Sequence, residues 1–206
     1  MAEVTAPALA AAVGRVATAA EGFAAELNAA DGALGDGDLG VTVSRGFLEA
    51  SSAALPADVG LAFMECAKAF QRVSSSSYGT LVATAFLSAA KATRGRDRVP
   101  AAEIPAIVRG ALEAMMARGK GSLGDKTVLD SLDAVVTALE GVPEGDMGDM
   151  LPAAIAAARD AVETFRTRPN KLGRARMFGA GSVGLVDPGQ LAFLRVVEAL
   201  REQNRT

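Results

Sequence analysis

The chain has 206 residues, 50% of them hydrophobic and 22% charged, with a formal net charge of −3 at pH 7. That length makes a single domain over residues 1–206 the expectation, and the composition excludes a disordered polymer. The slight excess of acid offers no broad basic face for nucleic acid.

Aromatic residues make up 4%, Trp is missing and alanine is the commonest residue, a mix that suits helices and disfavours a β-rich sandwich. Histidine is absent, which excludes a histidine triad, a histidine-containing zinc site and histidine acid–base chemistry within this chain. The single cysteine, Cys66, excludes an intrachain disulfide; it is expected to pack in a helix and fits a reducing cytoplasm. Glu3, Arg15 and Glu21 interrupt the amino-terminal apolar stretch, so a signal peptide is not expected. Nor does any run promise the ~20 apolar residues of a membrane span. A soluble, cytoplasmic, all-α domain without nucleic-acid or membrane partners is the expectation.

Apolar residues recur at helical spacing in eight stretches. They run from about Pro7 to Leu27, from Val43 to Ala53, and after Pro56 with Leu61, Met64 and Phe70 inward. A fourth covers Gly79 to Ala92, a fifth Ala101 to Ala117 and a sixth Thr127 to Leu139. The last two run from Met150 to Phe165 and from Pro188 to about Glu202. The eighth has the clearest start, because Asp187-Pro188-Gly189-Gln190 offers an N-cap carboxylate, a proline at the first helical position and Gln at the capping-box position.

Four connections are long or rich in Gly, Ser and charge: Asn28 to Ser44, Ser74 to Gly79, Gly119 to Thr127 and Arg168 to Asp187. Compact domains rarely keep such segments without a use. The first holds Asp31, Asp36 and Asp38 among four glycines. Three carboxylates crowded together repel unless a cation sits among them, and hard oxygen donors without His or Cys suit Mg²⁺ or Ca²⁺. Separate surface turns are the alternative. An EF-hand fails, because the twelfth position counted from Asp36 is Phe47. Mg²⁺ bound by a few carboxylates commonly shares its shell with phosphate oxygens, so a phosphorylated ligand is the natural partner.

Gly119-Lys-Gly-Ser-Leu-Gly124 and Gly179-Ala-Gly-Ser-Val-Gly184 both spell G-x-G-x-x-G, but neither opens a βαβ unit. Gly124 to Thr127 instead stands before a helix, where its amides and the Thr127 hydroxyl would either meet an anion or cap the helix. Arg174 offers charge for phosphate, or solvated charge on a loop.

Taken in order, Asp31 with Gly35-Asp-Gly-Asp-Leu-Gly40, Ser44-Arg-Gly-Phe47, Ser77-Tyr-Gly79, Arg118-Gly-Lys120, Gly124-Asp-Lys-Thr-Val-Leu-Asp130, Gly173-Arg-Ala175, Ser182-Val-Gly184 and Asp187-Pro-Gly189 resemble the nucleotide-binding L-subunit (Dak2-domain) family of dihydroxyacetone kinases. The resemblance covers about residues 10 to 200. It implies an eight-helix antiparallel barrel with the nucleotide, ADP or ATP, at one end. Asp31, Asp36 and Asp38 would hold two Mg²⁺ ions on the phosphates, and Leu39, Gly40, Val41 and Thr42 would lie along phosphates and ribose. Ser77 and Tyr78 would sit at the phosphate-binding turn. Gly119 and Val128 would line the pocket, with Gly124 and Thr127 beside them, and Arg174, Asp187, Pro188 and Gly189 would complete it.

Two positions depart from the family pattern. Leu39 stands where the family has His, and Ser75 to Gly79 replaces a more glycine-rich turn. The resemblance further implies a kinase active with a separate ketose-binding subunit, for dihydroxyacetone or a related short ketose. ATP or a phosphocarrier protein of the phosphotransferase system would supply the phosphoryl group. A non-catalytic nucleotide-sensing module of the same family is the alternative, and the oligomeric state, homodimer included, stays open.

Overall fold

The structure, a computed structural model of the chain, describes residues 3–74, 76–143 and 147–201. Eight α-helices carry it: α1 Ala6–Leu34, α2 Leu39–Ser51, α3 Val59–Val73, α4 Ser77–Thr93, α5 Ile104–Gly119, α6 Val128–Glu140, α7 Met147–Arg166 and α8 Pro188–Ala199. Each helix packs on its sequence neighbour, and α8 returns to pack on α1, so the antiparallel helices close into a ring. This is the expected all-α barrel. Added to it is a short antiparallel ribbon, β1 Glu3–Thr5 with β2 Arg98–Pro100, in which Val4 faces Val99.

The ring closes for side-chain reasons. Inward stripes of α1, α2, α3, α4 and α8 form one core around Leu27, Val43, Cys66 and Phe70. Phe70 meets the Phe47 ring edge-on at 5.0 Å between centroids and the Phe86 ring at 5.8 Å. A second core joins α6, α7 and α8 through Val135, Ile155 and Val197, and a third joins α5 and α6 through Leu112 and Leu129. Across the α1–α8 seam, Arg195 forks onto Glu26 at 2.7 and 2.6 Å.

Caps fix most helix starts. Thr5 accepts from the Ala8 amide, Asp58 from Leu61, Ser76 from Gly79 and Asp187 from Gln190. The full capping box falls on α6, between Thr127 and Asp130. The one expected on α8 is only half formed, because the Gln190 side chain donates to Ser131 Oγ at 3.1 Å and does not turn back.

Three expectations need correction. The acidic segment is not a long loop, since α1 runs to Leu34 and α2 starts at Leu39, leaving residues 35–38 as the connection. Burial of Leu34 and Leu39 in the core outweighs the poor helix propensity of the Asp and Gly around them. The segment before α8 holds a 3₁₀ stretch, Arg174–Ser182, broken at Gly179. Finally, α1 is by length and composition apolar enough to cross a membrane. Its inward residues, Leu9, Val13, Val16 and Leu27, belong to the barrel core.

Candidate functional site

Because neighbouring helices alternate in direction, the connections α1–α2, α3–α4, α5–α6 and α7–α8 share one end of the barrel. These are the four segments singled out in the sequence. The starts of α2, α4, α6 and α8 lie at this end, so four positive helix ends point there. Lys171 N ties the last segment to the third by donating to Asp125 O at 3.0 Å, and Gly184 N folds the last segment back onto the end of α7 by donating to Arg166 O at 2.8 Å.

Asp31, Asp36 and Asp38 converge here, with one ligand oxygen of each within 4.8 Å of the others. Asp31 sits in the last turn of α1, and its Oδ2 accepts the amides of Gly37 at 2.9 Å, Asp38 at 3.0 Å and Leu39 at 3.3 Å. Gly37 makes this wrap with a φ of 81°, a conformation that glycine adopts without strain. Oδ2 therefore builds the turn, while Oδ1 has no hydrogen-bond partner among the described residues and lies beside Gly35, where an added Cβ would stand 2.5 Å from it. Asp38 holds the N-cap position of α2, yet its side chain makes no capping bond. Asp36 pairs with Arg174. An oxygen-only set with uncommitted carboxylate atoms fits a hard divalent ion.

Of the α2 opening, Leu39 N goes to Asp31, Gly40 N to Asn28 Oδ1 at 2.7 Å and Thr42 N to Asp38 O at 3.0 Å. Val41 alone of the four keeps its amide uncommitted among the described residues. Gly40 is where α2 touches α1: a Cβ there would stand 2.1 Å from Ala24 O. Leu39 belongs to the apolar core, so the residue that departs from the family pattern serves packing.

A second group gathers around the start of α8. A Cβ on Gly189 would lie 3.2 Å from Asp187 Oδ2, 3.6 Å from Val128 Cβ and 3.7 Å from Tyr78 Cδ2. Tyr78, Val128, Asp187, Pro188 and Gly189 thus meet where α4, α6 and α8 begin. Tyr78 packs inward against two of the apolar clusters, and burial, with Asp187 adding to it, holds its phenol well above its usual range. Ser77 is exposed in the first turn of α4, and Ser75 lies outside the described residues. Gly119 ends α5 beside Leu81.

Gly124 and Thr127 do not present free amides. Asp130 accepts from both, at 2.8 Å for Thr127, and the Thr127 hydroxyl accepts from Leu129 at 3.2 Å. Of the two alternatives for this segment, these bonds form the helix cap. Asp130 is buried, and that burial raises its carboxyl above the usual range against the pull of those bonds.

Sequence reasoning missed three residues. Asn28 caps α2 from within α1. Lys126 is fully buried with a φ of 60°, and its Nζ donates to the carbonyls of Arg168, Ser182 and Leu185. Asn170 donates through Nδ2 to Lys126 O at 2.8 Å and to Asp187 Oδ1 at 2.7 Å. Only a polar residue that cannot be solvated by its own segment could have signalled them, and a single sequence does not show burial. Asp187 is held at about 6 by burial, which outweighs its bonds to Gln190 N and Asn170 and the nearby Lys126 charge.

A cavity of about 370 Å³ opens beside the acidic turn, lined by Gly35, Asp36, Arg174, Met177 and Phe178. A wider groove of about 590 Å³ between α5, α6 and α7 carries the Arg109–Glu140 pair and none of the candidate residues.

Fold and site together define a class: an all-α barrel that gathers helix starts, an oxygen-only acidic cluster and a facing arginine at one end. Residues 33–202 match the DAK2 domain, and the chain belongs to that family. It is 29% identical over 179 residues to the ADP-binding subunit DhaL of the PEP-dependent dihydroxyacetone kinase of Escherichia coli, covering 84% of this chain and 85% of that one. It is 32% identical over 162 residues to the ADP-binding subunit DhaL of PEP-dependent dihydroxyacetone kinase 1 of Listeria innocua, covering 77% of each. The human triokinase/FMN cyclase is 31% identical over 91% of this chain, which spans 33% of that longer protein. The crystal structure of the dihydroxyacetone kinase from C. freundii in complex with AMP-PNP and Mg²⁺ superposes with a TM-score of 0.72 and 27% identity, over 93% of this chain and 33% of that one.

Proposed function

We propose that this chain is the nucleotide-binding subunit of a dihydroxyacetone-type kinase. It holds Mg-ADP or Mg-ATP at the end of the barrel that gathers the acidic cluster and serves phosphoryl transfer to dihydroxyacetone or a related short ketose carried on a separate subunit. The observation that carries this is the convergence of Asp31, Asp36 and Asp38, in a chain whose relatives are ADP-binding kinase subunits.

Asp31, Asp36 and Asp38 would hold the magnesium, two ions in this reading, and the bound metal would neutralise phosphate charge and align the transferring group. The chain's own residues prepare the place. Asp31 fixes the turn with one oxygen and leaves the other for the ion. Arg174, already against a carboxylate, supplies a guanidinium to phosphate oxygens. Val41 N and the starts of α4 and α8 add donors and positive potential without any rearrangement. Tyr78, Val128 and Gly189 form the apolar floor for the nucleoside. The chain contains no histidine, so a histidine that captures the ketose would stand elsewhere. The donor is ATP or a cytoplasmic phosphocarrier that recharges bound ADP, and a homodimer is compatible with either.

The test is calorimetry with Mg-ADP and Mg-ATP, followed by a phosphorylation assay with dihydroxyacetone. The purified chain alone binds nucleotide and phosphorylates no triose, and turnover appears when a ketose-binding subunit is added. Rapid phosphorylation of free dihydroxyacetone by this chain alone would defeat the two-subunit reading. Absence of Mg-dependent nucleotide binding would defeat the site.

A further inference from the structure

The segment from Arg168 to Asp187 is tied near both of its ends to a single atom. Lys126 Nζ donates to Arg168 O at 2.9 Å, Ser182 O at 2.9 Å and Leu185 O at 2.8 Å. An ammonium has three N–H donors and no acceptor, so these carbonyls satisfy it completely. The side chain is 0% exposed, and a buried charge is tolerated only when paired in this way. The clamp is reinforced from the backbone side, where Lys126 O accepts from Asn170 Nδ2 and Asn170 N donates to Ser182 Oγ at 2.9 Å.

None of this serves the apolar cores, to which Lys126 does not belong. What it does is bring the carbonyls of residues 168 and 185 onto one cation, closing the stretch between them into an Ω-shaped loop. That loop carries Arg174, which reaches the acidic turn through Asp36. Arg174 itself is exposed, and its side chain meets the acidic turn through Asp36 alone. Buried Ala175 and the bond from Lys171 N to Asp125 O hold the loop beside it, and the Lys126 clamp fixes the feet from which that stretch rises.

We propose that Lys126 is a positioning residue for phosphate binding, whose buried ammonium pins both feet of the 168–185 loop and so sets where Arg174 stands against the acidic turn. This rests on the reading that Arg174 faces phosphate. A buried charge kept for geometry has a signature that a merely stabilising residue lacks: its removal must erase the contribution of the residue it positions.

The experiment is a double-mutant cycle on the full chain, Lys126→Met with Arg174→Ala, read by calorimetry with Mg-ADP and by hydrogen exchange without ligand. In the wild-type background Arg174→Ala weakens Mg-ADP binding about tenfold. In the Lys126→Met background the same change matters less than twofold, and amides of residues 170–184 exchange at least tenfold faster while those of α2 and α3 do not. Equal effects of Arg174→Ala in both backgrounds overturn the proposal, as does unchanged exchange in the loop. Should Lys126→Met fail to fold, Ser182→Ala loosens the same loop by removing the bonds to Asn170 N and Gly179 O and leaves the ammonium in place. Coupling of that variant to Arg174 supports the proposal and additivity overturns it. A wild-type chain that does not bind Mg-ADP refutes the functional reading instead, and the exchange measurement still decides whether the clamp orders the loop.

Discussion

Asp31→Asn separates the two duties of one carboxylate. In the metal-free protein Asp31 Oδ2 accepts three backbone amides at 2.9 to 3.3 Å. Bonds to a charged acceptor contribute about 1 kcal/mol more each than bonds to a neutral one. Asparagine retains a carbonyl for the turn, so the loss is the charge-assisted part alone. Discounted for partial exposure, that comes to about 2 kcal/mol. The double variant Asp36→Asn/Asp38→Asn behaves differently. Asp38 makes no capping bond and Asp36 meets only the exposed Arg174, so stability without metal stays within about 1 kcal/mol, or rises as like charges are removed. Urea denaturation in the presence of chelator measures these differences, and a thermal shift on adding Mg-ADP measures the other duty, which both variants lose. An Asp31→Asn protein as stable as wild type without metal would refute the division of labour between the two oxygens. A retained Mg-ADP shift in the double variant would refute the metal assignment.

Three further outcomes follow from particular contacts. Gly40→Ala drives a methyl against Ala24 O and Asn28, so it should cost about 2–3 kcal/mol and abolish Mg-ADP binding; a wild-type melting temperature would contradict the close approach of α1 and α2. Asp187 titrates near 6 in the folded chain and near 3.8 once unfolding returns it to water, so the native chain keeps a proton that the unfolded chain has lost between those values. From this group stability falls as pH rises from about 4 to 6, by up to about 3 kcal/mol, and Asp187→Asn should remove that fall; parallel stability curves for the two proteins would rule it out. Cys66 is fully buried and its thiol is pushed up to about 11, so a thiol reagent at pH 8 should modify it only on unfolding; modification at the rate of a small free thiol would show otherwise.

The helices are legible in the sequence because each has a long apolar stripe, and the cluster of Asp31, Asp36 and Asp38 because three acids among glycines have few structural uses. The boundaries near the site are not. Asp31 and the Asp and Gly residues flanking Leu39 look like loop residues by local propensity, yet Leu34 and Leu39 are buried and the helices extend over this stretch. Gly124 to Thr127 reads equally as an anion site or a helix cap, because nothing local shows that Asp130, three residues into the helix, folds back on it. Lys126, Asn28 and Asn170 act on groups 12 to 59 residues away, a range at which one sequence carries no pairing signal.

The same alternation of helices that gathers the site also settles where it is safe to attach something. The first turn of α1 lies at the end remote from the acidic cluster, and α8 also runs away from that cluster, its end meeting the third turn of α1 where Arg15 Nε donates to Leu200 O at 3.1 Å. A tether spliced on near either point would trail away behind the barrel and leave its mouth unobstructed. Such an arrangement lets one architecture work as a free-standing piece or as a segment of a longer polypeptide without rebuilding the mouth.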